Sequence, residues 1–189
     1  MVRADTLHLQ IPFLLSRGRT DEAAASVSGI WRYETGATSP GFRDRYIHAL
    51  QLNVMADPEQ GEETLWFLGQ ALMRFFDRLC LPGLLVDGGP WRHYLDRRFF
   101  TVHAVPGPRL TITSTLFSLG PVFRRFFGTD RWLFDVGLTE KVLAVMAMIQ
   151  DTKGLRLPSG LAPVHVALMP RRGGGGGTGV PAAGVVAWA

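Results

Sequence analysis

The stretch WRYETGATSPGFRDRYIHALQ, residues 31–51, decides the fold prediction. The segments 29–35 and 45–56 alternate or run apolar in the manner of strands. Between them, residues 36–41 are small or turn-forming, namely Gly, Ala, Thr, Ser and Pro. The pattern therefore predicts a strand, a long loop and a returning strand, with charged residues at the base of the hairpin.

The charged residues of this hairpin are placed to act together. Arg32 and Glu34 are two apart on a predicted strand, so both point to the same face. Arg43 and Arg45 return near them across the loop. Like-facing arginines favour an anionic guest such as a nucleotide triphosphate, with Glu34 free to accept from an adenine amino group. A surface hairpin with Arg–Glu cross-strand pairs is the alternative, and the spacing leaves both interpretations open.

Composition predicts one folded domain that favours a phosphate-bearing partner. The chain has 189 residues, of which 47% are hydrophobic and 19% charged, an ordinary globular balance. Lys+Arg outnumber Asp+Glu by 20 to 16, and Lys141 and Lys153 are the only lysines. Arginine is suited to planar, bidentate contact with phosphate and carboxylate groups. The arginine-rich balance therefore favours an anionic partner.

Cysteine content and hydropathy predict a cytoplasmic protein without a membrane segment. Cys80 is the one cysteine, so neither an intrachain disulfide nor a thiolate zinc cluster can form. No apolar run approaches the roughly 20 residues that a membrane-spanning helix requires. The N-terminal stretch, interrupted by Gln10 and Pro12, lacks the pattern of a secretion signal.

The sequence after the hairpin predicts two helices and an antiparallel meander. Asp57-Pro58-Glu59-Gln60 has the composition of a capped helix start, and apolar residues then recur at helical spacing to about Cys80. Residues 84–120 hold three strand-like segments between Gly/Pro breaks. A second helix starts near Leu138 and is expected to close at Lys153-Gly154.

The two ends of the chain are the least regular parts. An alanine-rich segment before residue 28 could be a short helix, and the glycine- and alanine-rich tail after Arg172 predicts disorder. The predicted organisation is a segment of uncertain structure at 1–28, a folded core at 29–157, a linker and strand at 158–170, and the tail at 171–189.

Two further clusters have functional and structural interpretations. GLTEK, residues 137–141, lies where a strand meets a helix: Gly137 permits close backbone approach to a ligand, and Lys141 stands in the first helical turn. A cation at this position indicates either a site that binds an anion or a lysine in contact with solvent. The arginine- and aromatic-rich span 92–131 could contact RNA or form sheet core. The five histidines have no metal-binding spacing, so no metal ligand is predicted.

Taken together, the chain resembles the catalytic core of class II aminoacyl-tRNA synthetases, in particular the threonyl and prolyl members. The likeness spans about residues 27–170 and rests on five stretches in the family's order: WRYETGATSPGFRDRY, ADPEQGEETLWFL, STLFSLGPVFRRF, GLTEK and DTKGLRLPSGLAPVHVALMP. WRYETGATSPGFRDRY is similar to the family's second motif, and GLTEK is similar to its third motif. DTKGLRLPSGLAPVHVALMP is similar to the passage from the catalytic core into an anticodon-binding domain. The resemblance implies an α/β (α+β) fold with an antiparallel sheet flanked by helices.

The resemblance also implies a chemistry. An amino acid carboxylate would attack the α-phosphate of ATP, usually with Mg²⁺, and the product would be transferred to tRNA or another carrier. Arg32 would be the catalytic contact to the α-phosphate, Glu34 would bind the adenine amino group, and Arg43 the outer phosphates. The ATP-binding residues implied are Arg32, Glu34, Arg43, Tyr46, Gly137 and Lys141.

Four positions depart from the family pattern. Ile47, next to Tyr46, stands where the family has a phenylalanine that stacks on adenine, and Gln51 stands where the family has a carboxylate. Lys141 stands in place of an arginine, and Phe117 in place of a glutamine of the threonyl relatives. The first family motif has no counterpart, and a glycine tract stands in place of the anticodon-binding domain, so a truncated core is expected. Three hypotheses stay open: an adenylate-forming ligase, a synthetase-like binding protein without turnover, or a fragment without activity. The departures favour the second.

Overall fold

In the described part of the chain, successive helices are separated by one to three strands. The computed structural model describes residues 7–18, 22–31, 35–105, 109–155, 157–162, 166–170 and 183–187. The helices are α1 (Leu7–Arg17), α2 (Gly61–Arg78), α3 (Pro121–Phe127) and α4 (Lys141–Met148). The strands are β1 (Ala23–Trp31), β2 (Tyr46–Ala56), β3 (Leu84–Asp87), β4 (Leu95–Val105), β5 (Arg109–Leu119), β6 (Trp132–Thr139), β7 (Val166–Pro170) and β8 (Ala183–Ala187).

Six strands form one antiparallel sheet in the order β1-β2-β6-β5-β4-β3. The predicted hairpin is confirmed in its second strand and in residues 29–31 of its first, with β1 and β2 paired from Trp31–Tyr46 to Ala23–Val54. Residues 32–34 of the predicted first strand lie outside the described residues, and Thr35 is not in a strand. The alanine-rich segment is strand rather than the short helix considered from sequence, because all of β1 pairs along β2. The predicted meander is also confirmed as β3, β4 and β5. The fold is α+β, as expected.

Helix α2 covers one face of the sheet. Its inward residues include Leu65, Leu68 and Leu72, which pack in one buried cluster with Phe134 of β6 and Leu116 of β5. Since side chains alternate between faces along a strand, this packing leaves the other set of β2 and β6 side chains on the opposite face. In the described part of the chain, no helix has both the length and the hydropathy to cross a membrane.

The start of α2 differs from the predicted capping box. Residues 58–60 form a 3-10 turn before the helix, and Asp57 makes no side-chain capping hydrogen bond. The Asp57 carboxylate lies instead 3.5 Å from Nε of Arg131. An ion pair with the loop before β6 has therefore replaced the expected cap.

Helix α1 covers one end of the opposite face. Leu7, Ile11 and Leu14 pack against Met55 and Leu133, which leave the sheet on the side away from α2. This helix lies within the segment 1–28, whose structure the sequence left undecided. The part of the same face that α1 does not cover is open.

Helices α3 and α4 each differ from expectation. The seven-residue α3 was not predicted; it begins after Gly120 and ends at Gly128, whose φ of 67° is left-handed. Helix α4 ends at Met148, short of the predicted Lys153-Gly154. The reason is a local turn in which the Lys153 N–H donates to the Asp151 carboxylate (2.8 Å), a side-chain bond that competes with helix continuation.

A second, two-stranded sheet is formed by β7 and β8. Strand β7 falls in the segment 158–170, where a strand was predicted. Residues 183–187 pair with it and are not disordered, since their backbone groups find partners in β7. The rest of the predicted disordered tail lies outside the described residues.

Gly120 should not tolerate a side chain. A Cβ at this position would lie 2.8 Å from the His93 carbonyl oxygen and 3.0 Å from the Tyr94 backbone. Because backbone atoms cannot rotate away, we expect Gly120→Ala to lower the free energy of unfolding by about 1–3 kcal/mol, measured by urea denaturation. Gly160→Ala is the matched control, since nothing lies within 4 Å of its Cβ position; equal stability losses in the two variants would contradict this packing.

Candidate active site

A cleft of about 300 Å³ lies on the face of the sheet opposite α2. Its lining comes from neighbouring strands and the start of α4. Strand β2 contributes Ile47, Ala49 and Gln51, and β6 contributes Asp135, Gly137 and Thr139. Small-molecule sites occupy roughly 300–1,000 Å³ and combine apolar walls with a few convergent polar groups, which is the composition found here.

Gly137 keeps the middle of the cleft open. It pairs with Gln51 on β2 and with Thr115 on β5, so it lies between two cleft-lining strands. A Cβ at Gly137 would lie 3.1 Å from the Thr115 hydroxyl oxygen. The glycine therefore leaves room next to the backbone of β6, and the approach of a ligand to it stays a prediction.

Lys141 stands at the rim of the cleft. It is the first residue of α4, immediately after β6, and its half-buried side chain is part of the lining. The preceding residue, Glu140, accepts from the backbone N–H of His48 (3.3 Å) and lies 3.3 Å from its Nδ1. These contacts connect the start of α4 to β2. The position of Lys141 relative to the cleft is therefore fixed by β2 as well as by β6, the strand that precedes α4.

Arg43 lies in the hairpin loop and does not line the cleft. Ser39 and Arg43 exchange two backbone hydrogen bonds, of 3.0 and 2.7 Å, that close the loop. The neighbouring Phe42 packs in a cluster with Val142 and Val145 of α4. The loop that carries the exposed Arg43 is thus anchored on the helix that begins with Lys141.

Tyr46 is not in the cleft. Its ring lies 5.0 Å from the rings of both Trp31 and His48, on the face of β2 opposite Ile47. Gly29 accommodates it, since a Cβ there would lie 2.1 Å from the tyrosine hydroxyl oxygen. Because adjacent strand residues point to opposite faces, Tyr46 does not line the cleft that Ile47 lines, and its ATP-binding role stays a prediction that the cleft geometry does not support.

Arg32 and Glu34 lie outside the described residues. The chain that leads to them is described up to Trp31, and Ile30 lines the cleft. Their roles therefore stay predictions that rest on sequence and on the place where β1 ends.

Four arginines of the span 92–131 make hydrogen bonds or ion pairs within the protein. Arg98 donates to the Gly88 carbonyl oxygen (2.7 Å). Three others form ion pairs: Arg97 with Asp87, Arg124 with Asp96 and Arg131 with Asp57. RNA contact by this span stays a prediction, and these four contacts favour the structural alternative.

The sequence interpretation missed a pair of polar residues at the base of the cleft. Asn53 on β2 is opposite Asp135 on β6, and its Nδ2 donates to the Asp135 carboxylate at 2.8 Å. Both side chains are buried. The available signal was a lone carboxylate in the otherwise apolar segment WLFDVGLT.

This antiparallel sheet carries α2 on one face and, on the other, α1 and a ligand-sized cleft, an architecture similar to that of a class II aminoacyl-tRNA synthetase core. Sequence comparison finds related proline–tRNA ligases. The protein from Ignicoccus hospitalis is 27% identical over 160 residues, which cover 75% of this chain and 33% of that protein. The one from Methanosphaera stadtmanae is 29% identical over 156 residues, or 74% and 33%.

Solved structures support the same fold. Prolyl-tRNA synthetase from Giardia lamblia, in complex with prolyl-adenylate, superposes with a TM-score of 0.75 at 23% identity and covers 86% of this chain and 36% of that one. The Cryptosporidium parvum enzyme with L-proline and AMP gives 0.73 at 20% identity, covering 86% and 38%. No family model matches the sequence. The chain is thus similar to prolyl-tRNA synthetases in sequence and in fold, and it spans about a third of the length of these curated relatives.

Proposed function

We propose that the cleft binds ATP and an amino acid, and that the chain acts as an aminoacyl-tRNA synthetase-like protein. The observation that carries this proposal is the cleft itself, with Gly137 at its middle and Lys141 at its rim. The solved structures that share the fold contain prolyl-adenylate, or proline with AMP, which supports the same pair of ligands here. A cytoplasmic location, with tRNA or another carrier as acceptor, belongs to the same proposal.

Positive charge near the cleft suits a triphosphate. The Lys141 ammonium would meet a phosphate, and Arg43 would reach the outer phosphates from the loop that packs on α4. Arg32 would contact the α-phosphate and Glu34 the adenine amino group, as the resemblance implies. In the ligase reaction the amino acid carboxylate attacks the α-phosphorus, and the bond to pyrophosphate breaks in line with it. The protein positions the groups and neutralises charge.

The described residues do not form a site for a protein-bound magnesium ion. Asp135 is the one carboxylate that lines the described cleft, and Gln51 stands nearby where the family has a carboxylate. No group of three potential His, Cys, Asp or Glu ligands occurs in the described part of the chain. Magnesium would therefore arrive with the triphosphate, and no step of the mechanism is assigned to a metal held by these side chains.

A binding protein without turnover is the second candidate. It is favoured by Ile47, which lines the cleft in place of an aromatic residue while Tyr46 points to the other face. An aliphatic wall cannot stack on adenine as an aromatic ring does. Weaker nucleotide binding follows, and with it a slower or absent adenylation.

Calorimetric titration of the full chain with ATP and Mg²⁺ tests nucleotide binding. We expect binding by the wild type, and about tenfold weaker binding by Lys141→Ala, because a hydrogen bond to a charged group contributes roughly 1.5–3 kcal/mol. Lys153→Ala is the matched control, since Lys153 is the other lysine and lies exposed after α4. Absence of ATP binding by the wild type would contradict the proposal.

Pyrophosphate exchange with each of the twenty amino acids then separates the two candidates. Exchange driven by an amino acid would establish the ligase. Nucleotide binding without exchange would establish the non-catalytic form.

A further inference from the structure

The outer edge of β1 is open to a further strand. β1 is the last strand of the six-stranded sheet, and in the described part of the chain only β2 pairs with it. An edge strand presents backbone N–H and C=O groups, and proteins ordinarily protect such edges by charges, prolines or short length. The opposite edge, β3, has this protection, since it is four residues long and ends at Asp87. The nine residues of β1, AAASVSGIW, contain neither a charge nor a proline.

Exposed apolar side chains surround this edge. Val27, in the middle of β1, is 74% exposed, and Trp31 at its end is also exposed. On α1, Leu9 and Phe13 are exposed, and they line a cavity of about 480 Å³ together with residues 23–26 of β1. Apolar side chains grouped in this way beside an open strand edge are typical of a surface that another polypeptide covers.

One buried hydrogen-bond acceptor in this cavity has no partner. Gln10 of α1 is 8% exposed, and its Nε2 donates to the Ser26 hydroxyl at 2.6 Å. Its Oε1 has no hydrogen-bond partner among the described residues. The hydroxyl oxygen of Ser28, two residues further along the same face of β1, is likewise buried without a partner. Since an unsatisfied buried polar atom is costly, the two atoms indicate contacts that one chain alone does not supply.

A second copy of β1 supplies both contacts. When two antiparallel copies are related by a twofold axis at Val27, residues equally far before and after Val27 lie opposite each other. Ser28 of the second copy then lies opposite Ser26, on the face of α1, where rotation about χ1 lets its hydroxyl donate to Gln10 Oε1. The large Trp31 of each copy lies opposite the small Ala23 of the other. Because the axis repeats each contact, both glutamines receive a donor.

We propose that two copies of this chain pair along the outer edge of β1, antiparallel and about a twofold axis at Val27, so that their two sheets become one. The proposal goes beyond the proposed function and does not depend on nucleotide binding. Each copy has one such edge, so the assembly closes as a dimer and does not extend into a fibre. Opposed residues of an antiparallel pair point to the same face, so the clefts of both copies open on one side of the joint sheet.

Analytical ultracentrifugation of the wild-type chain over the micromolar range, without nucleotide, tests the dimer. We expect a dimer, and Val27→Lys should raise its dissociation constant at least about tenfold, because two ammonium groups would face each other across the axis. Leu110→Lys is the matched control, since Leu110 is 72% exposed on β5, away from β1, and it should leave the dimer unchanged. Thermal melting checks that both variants are folded. A monomeric wild type, or equal effects of the two substitutions, would overturn the proposal.

A disulfide between the two copies tests the register and needs no disruptive substitution. Directly opposed residues of an antiparallel pair have Cα atoms about 4.5–5.5 Å apart, a separation that a disulfide bridges. In a Cys80→Ser background, which removes the exposed native thiol, oxidised glutathione should convert Val27→Cys to a covalent dimer on a non-reducing gel. Leu110→Cys should stay monomeric under the same conditions. Absence of the cross-link at position 27, or equal cross-linking at position 110, would overturn the pairing.

ATP titration of the wild type separates this proposal from the proposed function. A dimer that binds no ATP would support the β1 interface and contradict the nucleotide function. A monomer that binds ATP would do the reverse.

Discussion

Replacing Phe134 with alanine should lower the free energy of unfolding by about 3–5 kcal/mol. Phe134 lies on β6, in the middle of the sheet, with 0% of its surface exposed. It packs in the cluster with Leu65 and Leu68 of α2 and stacks against Trp132 at 6.0 Å between ring centroids. Its removal would leave a cavity between helix and sheet that surrounding side chains cannot fill without moving the strand.

Urea denaturation of the two purified proteins measures this loss. Phe126→Ala is the matched control, because the same substitution is made in α3 at a side chain that is 70% exposed. We expect the control to change stability by less than about 1 kcal/mol. Similar losses in the two variants would show that the contact between α2 and the sheet does not dominate the stability of the fold.

The elements that could be predicted from the sequence are those whose pattern of apolar and turn residues continues over one long stretch of chain. Helix α2, of 18 residues, repeats apolar residues at helical spacing and buries that face on the sheet. The turn side of the β1–β2 hairpin could be predicted because residues of strand type flank a loop of turn residues, whereas the alanine-rich first part of β1 could not. In both cases one continuous stretch of chain holds the evidence, so no knowledge of the partner elements was needed.

Short elements were harder to predict, because tertiary contacts decide them. Helix α3 consists of seven residues, PVFRRFF, most of which suit a strand as well as a helix. Helix α1 contains Pro12, which disfavours a helix interior, yet Ile11 and Leu14 are buried against β2 and β6. Packing has overridden local propensity in both helices.

The candidate site could be predicted from the sequence only where its residues are neighbours along the chain. Gly137 and Lys141 lie next to each other in sequence, at the junction of β6 and α4, and both line the cleft. Tyr46 does not line the cleft whereas Ile47 does, because a shift of one residue along a strand exchanges the two faces. The pair of Asn53 and Asp135 is 82 residues apart in sequence, and only the pairing of β2 with β6 brings it together.

Replacing Arg32 with alanine should reduce ATP binding by roughly a hundredfold or more. Arg32 is two residues after Ile30, and Ile30 lines the cleft. The family resemblance implies that Arg32 contacts the α-phosphate. A guanidinium can make two parallel hydrogen bonds to one phosphate, each contributing about 1.5–3 kcal/mol. The expected loss is therefore larger than for Lys141→Ala, since an ammonium acts as a single point charge.

Calorimetry with ATP across three variants distinguishes this contact from a general effect of charge. Arg125→Ala, in exposed α3, removes the same charge elsewhere and should leave ATP affinity unchanged. Arg32→Lys keeps the charge but loses the planar fork, so its affinity should lie between those of the wild type and Arg32→Ala. If Arg32→Ala binds ATP as the wild type does, the residue makes no phosphate contact, and the hairpin is then a surface structure with Arg–Glu pairs. A loss shared equally by Arg125→Ala would instead mean that net charge, rather than a fixed contact, attracts the nucleotide.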